Sequence, residues 1–368
     1  MEEQGKTKAV SNTVVVCLSP YYGGMEMDAL RLARLLSATS SITLIVKHGA
    51  ALAGYCKKSL VDSKIRVESI QFRYYFSFAI IRQVRSIIKK NKIKNVIYFG
   101  ASELRSLYFA LLGLEANLII RHGTTKSQPK KDAFHRLIYR NVKYHVAICN
   151  HLARNVEYII PFGINTKLTI IYSSIENKSQ NIRSPGKISP DTVVNLLHVG
   201  RFAEGKGQID AIMACEELYE RGIEFSLKLV GSGDESYVQK LRSILENKAY
   251  KESIHLENFT EDLNAFYREA DIFLFPSEGE GLSNSFIDAL SYGLVCIAYD
   301  NTSFPELRDL GFKLFLAKNL DLDALKAEIS IALDFLYTHE FPNSENVSLS
   351  KSFFTQEREL KQFIDILI

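Results

Sequence analysis

The sequence predicts an α/β fold built from two doubly wound parallel sheets. Its 368 residues are enough for two domains, each able to bury its own core. Short apolar runs alternate with helical patterns along the chain, as they do where helices cover both faces of a parallel sheet. Several of these runs end in glycine-containing turns, which is where such folds bind their ligands.

In the first half, apolar runs of strand length alternate with stretches of helical pattern. We expect ligand contacts at the carboxyl ends of these strands. The predicted strands are Val14–Leu18, Ile42–Val46, Val67–Phe72, Val96–Phe99, Leu118–Ile120 and Tyr144–Ile148. The predicted helices are Met27–Leu36, Phe78–Lys90 and Glu103–Leu112.

In the second half, two predicted strands lead into turns that could hold an anion. The strand at 194–200 precedes Arg201 and Lys206, and the strand at 227–230 precedes a Gly-Ser-Gly turn that begins at Gly231. An arginine offers a planar fork and a lysine a mobile point charge, a pairing that suits the oxygens of a pyrophosphate. The alternative is a solvated basic pair at a helix start, with no ligand.

The segment Pro276–Leu290 carries the most specific pattern. It follows a predicted strand at 270–275 and leads into a helix with Ser283 or Asn284 as its N-cap. Free backbone N–H groups and the helix dipole would attract an anion there. Glu280 and Asp288 lie at the two ends of the turn, and carboxylates accept hydrogen bonds from sugar hydroxyls. A phosphate site beside a polyol site predicts a nucleotide sugar as ligand.

This segment resembles the E-x7-E signature of the retaining glycosyltransferases of GT-B architecture known as family four, or glycosyl transferases group 1. Asp288 departs from the family because it replaces the second glutamate, and Val295 replaces the usual proline. Turns beginning at Arg201 and Gly231 match further family elements in the family's order. The matching positions of the signature are Pro276, Ser277, Glu280, Gly281, Ala289, Gly293 and Ile297.

The resemblance implies a role for each matching residue. Arg201 and Lys206 would clamp the donor diphosphate and stabilise the leaving group. Glu280 would hold hydroxyls of the transferred sugar, and Asp288 those of the ribose. The other donor contacts would come from Gly23, Gly24, Gly231, Phe259, Ser283, Asn284 and Ser285.

His122 ends a predicted strand of the first half. In the family that is resembled, a histidine at this place faces the transferred sugar across the cleft, which makes His122 a candidate catalytic residue. The alternative is a structural histidine at a strand end. The Gly23-Gly24 turn likewise has an alternative interpretation, as a turn selected for tight packing alone.

The resemblance also implies the domain organisation. GT-B proteins have two Rossmann-like doubly wound domains facing a cleft, with a C-terminal helix that crosses back to the first domain. Residues 1–175 would form the acceptor-binding domain and residues 190–350 the nucleotide-sugar-binding domain. The helix at 351–368 would pack on the first domain. The polar segment Tyr172–Asp191 would connect the two.

The composition points to an intracellular protein. The five cysteines lack C-x-x-C spacing and four lie in or beside apolar runs, which is typical of reduced core residues. The N-terminal residues are polar and show no signal-peptide pattern. No stretch has the length of an apolar membrane span. We therefore expect a cytoplasmic location.

The near-neutral total charge of +3 conceals a strong asymmetry. Residues 1–185 hold 28 Lys and Arg against 11 Asp and Glu, a net of +17, and the remainder carries −14. Phe76 and Phe78 precede a helix with an apolar stripe and terminal lysines, a combination typical of interfacial membrane helices. A core-packed helix with solvated lysines is the alternative. No nucleic-acid-binding module accompanies the charge. The basic clusters are Lys89, Lys90, Lys92 and Lys94, then Lys126, Lys130, Lys131, Arg136 and Arg140.

The residues and the resemblance together predict a glycosyltransferase of bacterial cell-surface polysaccharide synthesis, and the resemblance alone implies that it retains the anomeric configuration. It would move a sugar from a nucleotide diphosphate sugar, by default a UDP-sugar, to a glycan or lipid-linked acceptor. It would bind peripherally to the anionic inner face of the cytoplasmic membrane. No cofactor or metal is expected, since Arg201 and Lys206 supply positive charge. The alternatives are a nucleotide-sugar epimerase or hydrolase of the same fold and a non-catalytic nucleotide-binding partner subunit.

Overall fold

The computed structural model describes residues 11–21, 23–60, 63–175, 182–183, 186–260 and 262–368. The chain forms two compact units. The first runs to Ser173 and also includes Gln356–Ile368, and the second is Ser174–Thr355. The predicted connection, Tyr172–Asp191, falls at this division, and its residues 176–181 and 184–185 lie outside the described ones, as do residues 1–10.

The first unit is built on a parallel sheet whose strands run in the order β3-β2-β1-β4-β5-β6-β7. Helices join successive strands and cover the sheet on both faces. The strands are β1 Thr13–Cys17, β2 Ile42–Lys47, β3 Arg66–Ile70, β4 Asn95–Phe99, β5 Asn117–His122, β6 Val142–Ala147 and β7 Lys167–Ile170. The helices are α1 Gly24–Ser37, α2 Ala51–Ser59, α3 Phe78–Lys90, α4 Leu104–Leu111, α5 Ala133–Tyr139 and α6 Asn150–Ile159.

Strand β1 shows why this sheet lies inside the unit. All five of its residues are buried. Val15 and Cys17 belong to the core on one face, whereas Val14 and Val16 belong to the core on the other. Successive side chains of a strand point to opposite faces, so a continuous apolar run serves two cores at once.

The second unit repeats this design with a parallel sheet of strand order β10-β9-β8-β11-β12-β13. The strands are β8 Val194–Val199, β9 Phe225–Gly231, β10 Ile254–Asn258, β11 Ile272–Phe275, β12 Val295–Tyr299 and β13 Leu314–Ala317. The helices are α7 Gln208–Ala214, α8 Glu216–Glu220, α9 Glu235–Glu246, α10 Asn264–Glu269, α11 Asn284–Ser291, α12 Phe304–Asp309, α13 Leu322–Thr338 and α14 Ser344–Phe353. The predicted doubly wound α/β fold is thereby confirmed.

In each sheet the strand order reverses at one place, between β1 and β4 in the first unit and between β8 and β11 in the second. The turns that leave the carboxyl ends of such strands diverge to opposite faces and open a crevice. In the second unit these turns contain the Arg201–Lys206 segment and the Pro276–Glu280 segment. The topology therefore brings two separate sequence motifs to one edge.

The last helix, α15 Gln356–Leu367, belongs to the first unit and is held there by buried charges. Arg121 at the end of β5 pairs with Asp28 at 3.0 Å and with Glu359 of α15 at 3.2 Å. Arg31 of α1 pairs with the same two carboxylates. Burial alone would raise the pKa of Asp28, but Arg121 and Arg31 outweigh it and lower that pKa to about 2. The carboxylate is therefore charged at neutral pH.

The C-terminal segment assigned to the first unit begins at Gln356 rather than at residue 351. The sequence analysis predicts a single helix over residues 351–368, whereas the structure ends α14 at Phe353 and starts α15 at Gln356. Phe354 causes this break because it is buried in the second unit, where its ring stacks on Phe312 at 5.8 Å. Its carbonyl also accepts a hydrogen bond from the backbone of Ile175.

Helix α3 follows the core-packed interpretation. Ile80, Val84 and Ile88 of its apolar stripe are buried in the core of the first unit. Phe78, in contrast, is 80% exposed at the first position of the helix. Residues of the apolar stripe therefore pack in the core, whereas the aromatic residues at and just before the start of the helix, Phe78 and Phe76, face solvent.

All five cysteines are buried and none forms a disulfide, as the scattered spacing predicted. Among the residues that the structure describes, no helix combines the length and the apolar character needed to span a bilayer.

Candidate functional site

The turns after β8 and β11 touch each other. Gly205 and Gly207 both have left-handed backbones, with φ of +75° and +81°. A Cβ on Gly207 would lie 2.2 Å from the carbonyl oxygen of Pro276, so only glycine permits this approach. The backbone N–H of Glu278 donates to the carbonyl oxygen of Gly205 at 2.9 Å. Lys206 is consequently held beside the segment that carries Glu280.

Lys206 and Glu280 form an ion pair at the edge of the second sheet. The Lys206 ammonium donates to Oε1 of Glu280 at 2.7 Å, and the Ser277 hydroxyl lies 2.9 Å from the same oxygen. The backbone N–H of Glu280 donates to Oγ1 of Thr302 at 3.1 Å. The two charged side chains remain 28% and 14% exposed, respectively. A polar ligand can therefore reach both the Lys206 ammonium and the Glu280 carboxylate.

Arg201 supplies a second cation close by in the chain. Its side chain is exposed, and no residue in the described ranges forms an ion pair with it. Its backbone is fixed because the buried Gln208 donates from Nε2 to the Arg201 carbonyl oxygen at 3.0 Å. The guanidinium is therefore available to an anion while its base is held in place.

His198 is a supporting residue that the sequence motifs do not identify. Its Nε2 lies 2.9 Å from the carbonyl oxygen of Lys206, and a carbonyl can only accept, so Nε2 carries the hydrogen. Burial lowers the pKa of His198 to about 4, so the ring is neutral at physiological pH. The ring also packs on Phe275 at 5.0 Å. The signal in the sequence is a histidine inside a mostly apolar strand.

The Gly-Ser-Gly turn after β9 packs directly on the turn after β8. A Cβ on Gly231 would lie 2.0 Å from the carbonyl oxygen of Gly200, and one on Gly233 would lie 1.9 Å from that of Phe202. The backbone N–H of Phe202 donates to the Ser232 carbonyl oxygen at 2.8 Å. These contacts give the glycines a packing role and bring Gly231 to the edge that carries Arg201.

The predicted phosphate-binding residues surround the start of α11. Ser283 is its N-cap, and the Ser283 hydroxyl accepts from the backbone N–H of Phe286 at 3.4 Å and lies 3.0 Å from Oγ of Ser285. Asn284 is exposed at the first helical position, and Phe259 on the loop after β10 is 56% exposed. Of the two predicted N-caps, Ser283 and Asn284, the structure therefore has Ser283.

Asp288 lies one turn into α11 and is partly buried. The pKa values of two tyrosines are raised by burial and further by its negative charge. Burial raises the pKa of Tyr267 well above its usual value and Asp288 adds to that rise, and the same two causes raise the pKa of Tyr292 to about 12. The Asp288 carboxylate therefore lies near Tyr267 and Tyr292.

His122 lies in the first unit, 3% exposed at the end of β5. Lys126 Nζ lies 3.5 Å from its Nδ1, and its Nε2 lies 2.8 Å from Nδ1 of His145. An ammonium only donates, so Nδ1 of His122 accepts and Nε2 carries the hydrogen that His145 receives. Burial, with Lys126 and His145 adding to it, lowers the pKa of His122 well below its usual value. Both ring nitrogens thus have partners within this unit.

Gly23 and Gly24 lie at the start of α1, with Gly23 as its N-cap in an extended conformation. The backbone N–H of Met27 donates to the Gly23 carbonyl oxygen at 3.0 Å. The candidate residues therefore fall into two groups. Gly23, Gly24 and His122 follow strands of the first sheet, and the others follow strands of the second.

The part of the chain that the structure describes contains no group of three or more His, Cys, Asp and Glu side chains able to hold a metal ion. The Asp321-Leu322-Asp323 sequence has two closely spaced carboxylates of the kind that bind divalent cations, and it begins α13. Asp321 is its N-cap and accepts from the backbone N–H of Ala324 at 3.1 Å. This bond is the main cause that lowers the pKa of Asp321, and Lys318 adds to it. The aspartate therefore has a structural function at a helix start.

Comparison with known proteins extends these findings. Residues 194–334 match the model of the family described as glycosyl transferases group 1. Over 150 residues the chain is 27% identical to the putative colanic acid biosynthesis glycosyltransferase WcaL of Salmonella typhimurium, covering 39% of this chain and 36% of WcaL. The chain thus spans about a third of the length of the curated relatives that it matches first. The resemblance predicted from the motifs is confirmed.

Two solved structures match nearly the whole chain in fold. A glycosyltransferase from Rickettsia africae has a TM-score of 0.82 at 17% identity and covers 98% of both chains. HepE of Anabaena, solved in complex with UDP and glucose, has a TM-score of 0.77 at 15% identity, covering 97% of this chain and 99% of HepE. The fold of the two parallel-sheet units is therefore that of the GT-B glycosyltransferases.

Proposed function

We propose, from the premise that the second unit belongs to the glycosyl transferases group 1 family, that this protein is a glycosyltransferase of bacterial cell-surface polysaccharide synthesis. It moves a sugar from a nucleotide diphosphate sugar to a glycan or lipid-linked acceptor. The observation that carries the proposal is the Lys206–Glu280 pair, with Arg201 on the same turn as Lys206, at the edge where the second sheet reverses its strand order. Cations for a diphosphate and a carboxylate for a sugar meet there.

The roles follow from charge and position. Arg201 and Lys206 neutralise the charge that grows on the departing diphosphate, and such electrostatic stabilisation usually contributes more to catalysis than any other single effect. Glu280 accepts hydrogen bonds from hydroxyls of the transferred sugar, and Asp288 from those of the ribose. The backbone around Ser283–Ser285 binds phosphate or sugar, while Gly231 and Phe259 contact the nucleotide base.

The first unit binds the acceptor, as the resemblance to the family implies. By the same resemblance, His122 contacts the transferred sugar as a neutral imidazole, because its lowered pKa keeps the ring uncharged at physiological pH. Transfer retains the anomeric configuration without a covalent intermediate, by likeness to the family. The donor is a UDP-sugar, a choice supported by the UDP bound in the structure of HepE.

A thermal-shift panel of UDP-, GDP- and ADP-sugars tests this function. A ligand that binds only the folded state raises the apparent Tm. At 100 times its Kd it increases the free energy of unfolding by about 2.7 kcal/mol. We expect the UDP-sugars to give the largest shift, and the same shift in EDTA as in magnesium or manganese, since the two cations replace a metal. Release of free or epimerised sugar without acceptor would indicate the hydrolase or epimerase, and binding without any turnover would indicate the non-catalytic subunit.

The acceptor side of the proposal places the first unit on an anionic membrane surface. Tyr74, Tyr75, Phe76 and Phe78 are 67%, 57%, 47% and 80% exposed. Lys89 and Lys90 are exposed at the other end of α3, and 13 residues of helix separate the two groups by about 20 Å. The aromatic group inserts at the interface, and the lysines add long-range attraction of about 1 kcal/mol each.

We expect co-sedimentation with anionic vesicles and not with zwitterionic ones. Phe76→Ser with Phe78→Ser should remove the salt-resistant part of the binding. Reversal of Lys89, Lys90, Lys92 and Lys94 to Glu should remove the salt-sensitive part, which acts over a Debye length of about 8–10 Å. Lys240→Glu and Lys251→Glu in the second unit serve as controls without effect. Equal binding to both vesicle types, or to neither, would contradict the membrane proposal.

A further inference from the structure

A cavity of about 200 Å³ opens at the carboxyl ends of β3, β4 and β5 in the first unit. Its polar lining comes from Arg105 of α4, Lys130, His135 of α5 and Ser102, and its apolar lining includes Tyr75 and Phe76. Pockets for drug-sized ligands measure about 300–1,000 Å³. This cavity therefore suits a small head group rather than a whole glycan.

The lining is cationic, and none of the described residues that form it is acidic. In the described ranges, neither Arg105 nor Lys130 forms an ion pair. The Arg105 guanidinium lies over the ring of Phe134 at 5.5 Å, which orients its planar fork. Both cations line the cavity without a carboxylate partner among the described residues, so an anion bound there would neutralise them.

His135 has a defined orientation at this cavity. Its Nδ1 is hydrogen-bonded to Asp132, which caps α5. The backbone N–H of His135, followed by its side chain, lowers the pKa of Asp132, so the carboxylate is charged and can only accept. Nδ1 therefore carries the hydrogen, and Nε2 is the ring nitrogen left for a ligand.

The surroundings reinforce the positive potential. Burial, together with the neighbouring Lys130, lowers the pKa of Lys126 to about 8. Burial is the larger cause of this shift, and repulsion between the Lys126 and Lys130 ammonium groups is the smaller one. An anion bound at Lys130 would relieve this repulsion.

One wall of the cavity continues into an exposed aromatic surface. Phe76 packs against Phe78 with ring centroids 6.1 Å apart and against Phe109 at 5.8 Å. All three rings are at least one-third exposed. A cationic cavity with an apolar rim matches a ligand that has an anionic head and an apolar or sugar-bearing tail.

We propose that this cavity binds a phosphate group, as a monoester or diphosphate, through Arg105, Lys130 and His135. A phosphate fits better than a carboxylate because it carries more charge and more acceptor oxygens for the Arg105 and Lys130 donors, and His135 adds an Nε2–H donor when its ring is protonated. Identification of the bound group as part of the acceptor rests on the proposed function, whereas phosphate binding itself does not. The phosphate can come from a lipid diphosphate or from a soluble sugar phosphate.

The experiment uses a local reporter, since the chain contains no tryptophan. Phe76→Trp places a single indole at the cavity wall, and Phe134→Trp places one beneath Arg105. Each full-length reporter is titrated with pyrophosphate, farnesyl diphosphate and farnesol while indole fluorescence is followed. Phe76 lines the cavity and Phe134 packs under Arg105, so each indole reports on a ligand in the cavity.

We expect both diphosphates to change the fluorescence of both reporters. Arg105→Met and Lys130→Met should each raise the apparent Kd by about 10- to 100-fold, as loss of a charge-assisted contact does. Arg154→Met, which removes an exposed arginine from α6 in the same unit, should leave the Kd unchanged. Tighter binding of farnesyl diphosphate than of pyrophosphate assigns the site to a lipid-borne phosphate, and equal binding assigns it to a soluble one.

The proposal is overturned if neither diphosphate changes the signal of either reporter at millimolar concentration. It is also overturned if farnesol binds as tightly as farnesyl diphosphate, or if the two Met variants bind like the parent reporters. These outcomes are independent of the nucleotide-sugar panel. A protein that binds no nucleotide sugar but loses phosphate binding with Arg105→Met would refute the glycosyltransferase and retain this cavity.

Discussion

Lys206→Ala should weaken binding of the donor nucleotide sugar by about 10- to 100-fold. Loss of one charge-assisted contact costs about 1.5–3 kcal/mol, and each 1.4 kcal/mol is tenfold in Kd. The structure adds a second reason. Lys206 neutralises Glu280 across 2.7 Å, so its removal leaves a carboxylate without its cation beside the diphosphate. Two unfavourable changes therefore act together on the same ligand.

Arg201→Ala should weaken binding through the diphosphate alone, because Arg201 has no carboxylate partner among the described residues. Glu280→Gln should lower turnover far more than affinity, since the amide keeps the shape and loses the charge that faces the sugar. Lys240→Ala is the matched control, because Lys240 pairs with Glu204 at 2.7 Å on the surface of the same unit. Calorimetric titration with UDP gives the Kd, and steady-state kinetics give kcat and KM.

Combining Lys206→Ala with Glu280→Gln separates the two reasons. If repulsion by the orphaned carboxylate contributes, the double variant should bind UDP more tightly than Lys206→Ala alone, and the double-mutant cycle gives the size of the coupling. Wild-type affinity of Lys206→Ala for every nucleotide tested would refute the assignment of Lys206 to the diphosphate.

The central strands could be predicted because buried apolar residues dominate them. The predicted Val14–Leu18 and Ile42–Val46 lie within one residue of β1 and β2 at each end. Strand β7, Lys167–Ile170, was not predicted because it lies at the edge of the sheet and none of its residues is fully buried. A half-exposed edge strand lacks the apolar pattern that identifies a central one.

The candidate residues of this site follow from sequence motifs, but their pairings do not. Arg201, Lys206 and Glu280 were identified from motifs, yet the contact between Lys206 and Glu280 joins positions 74 residues apart. Such a contact depends on strand order, which local patterns do not encode. His198 and the cavity at Arg105 were missed for the same reason, since each is defined by neighbours from several elements.

Arg121 shows most clearly that local sequence patterns do not reveal contacts between distant elements. In the sequence it is only the residue before His122, whereas in the structure it joins β5, α1 and α15. Besides Asp28 and Glu359, its guanidinium donates to the Ile171 carbonyl oxygen at 3.0 Å and to the Ser173 hydroxyl at 2.7 Å. Its side chain and that of Glu359 are each 1% exposed. A buried network of this kind makes the unit sensitive to loss of a single member.

Arg121→Met should therefore lower the free energy of unfolding of the first unit by about 3–5 kcal/mol, the usual cost of removing one partner from a buried ion pair. Arg31 remains to pair with Asp28 and Glu359, so we expect the unit to stay folded but α15 to open more often. Urea unfolding measures the loss, and hydrogen exchange of the α15 amides localises it. Lys361→Met, an exposed substitution on the same helix, is the control. Wild-type exchange of α15 in Arg121→Met would show that apolar packing of Phe363 and Leu367, and not the buried charges, holds this helix in place.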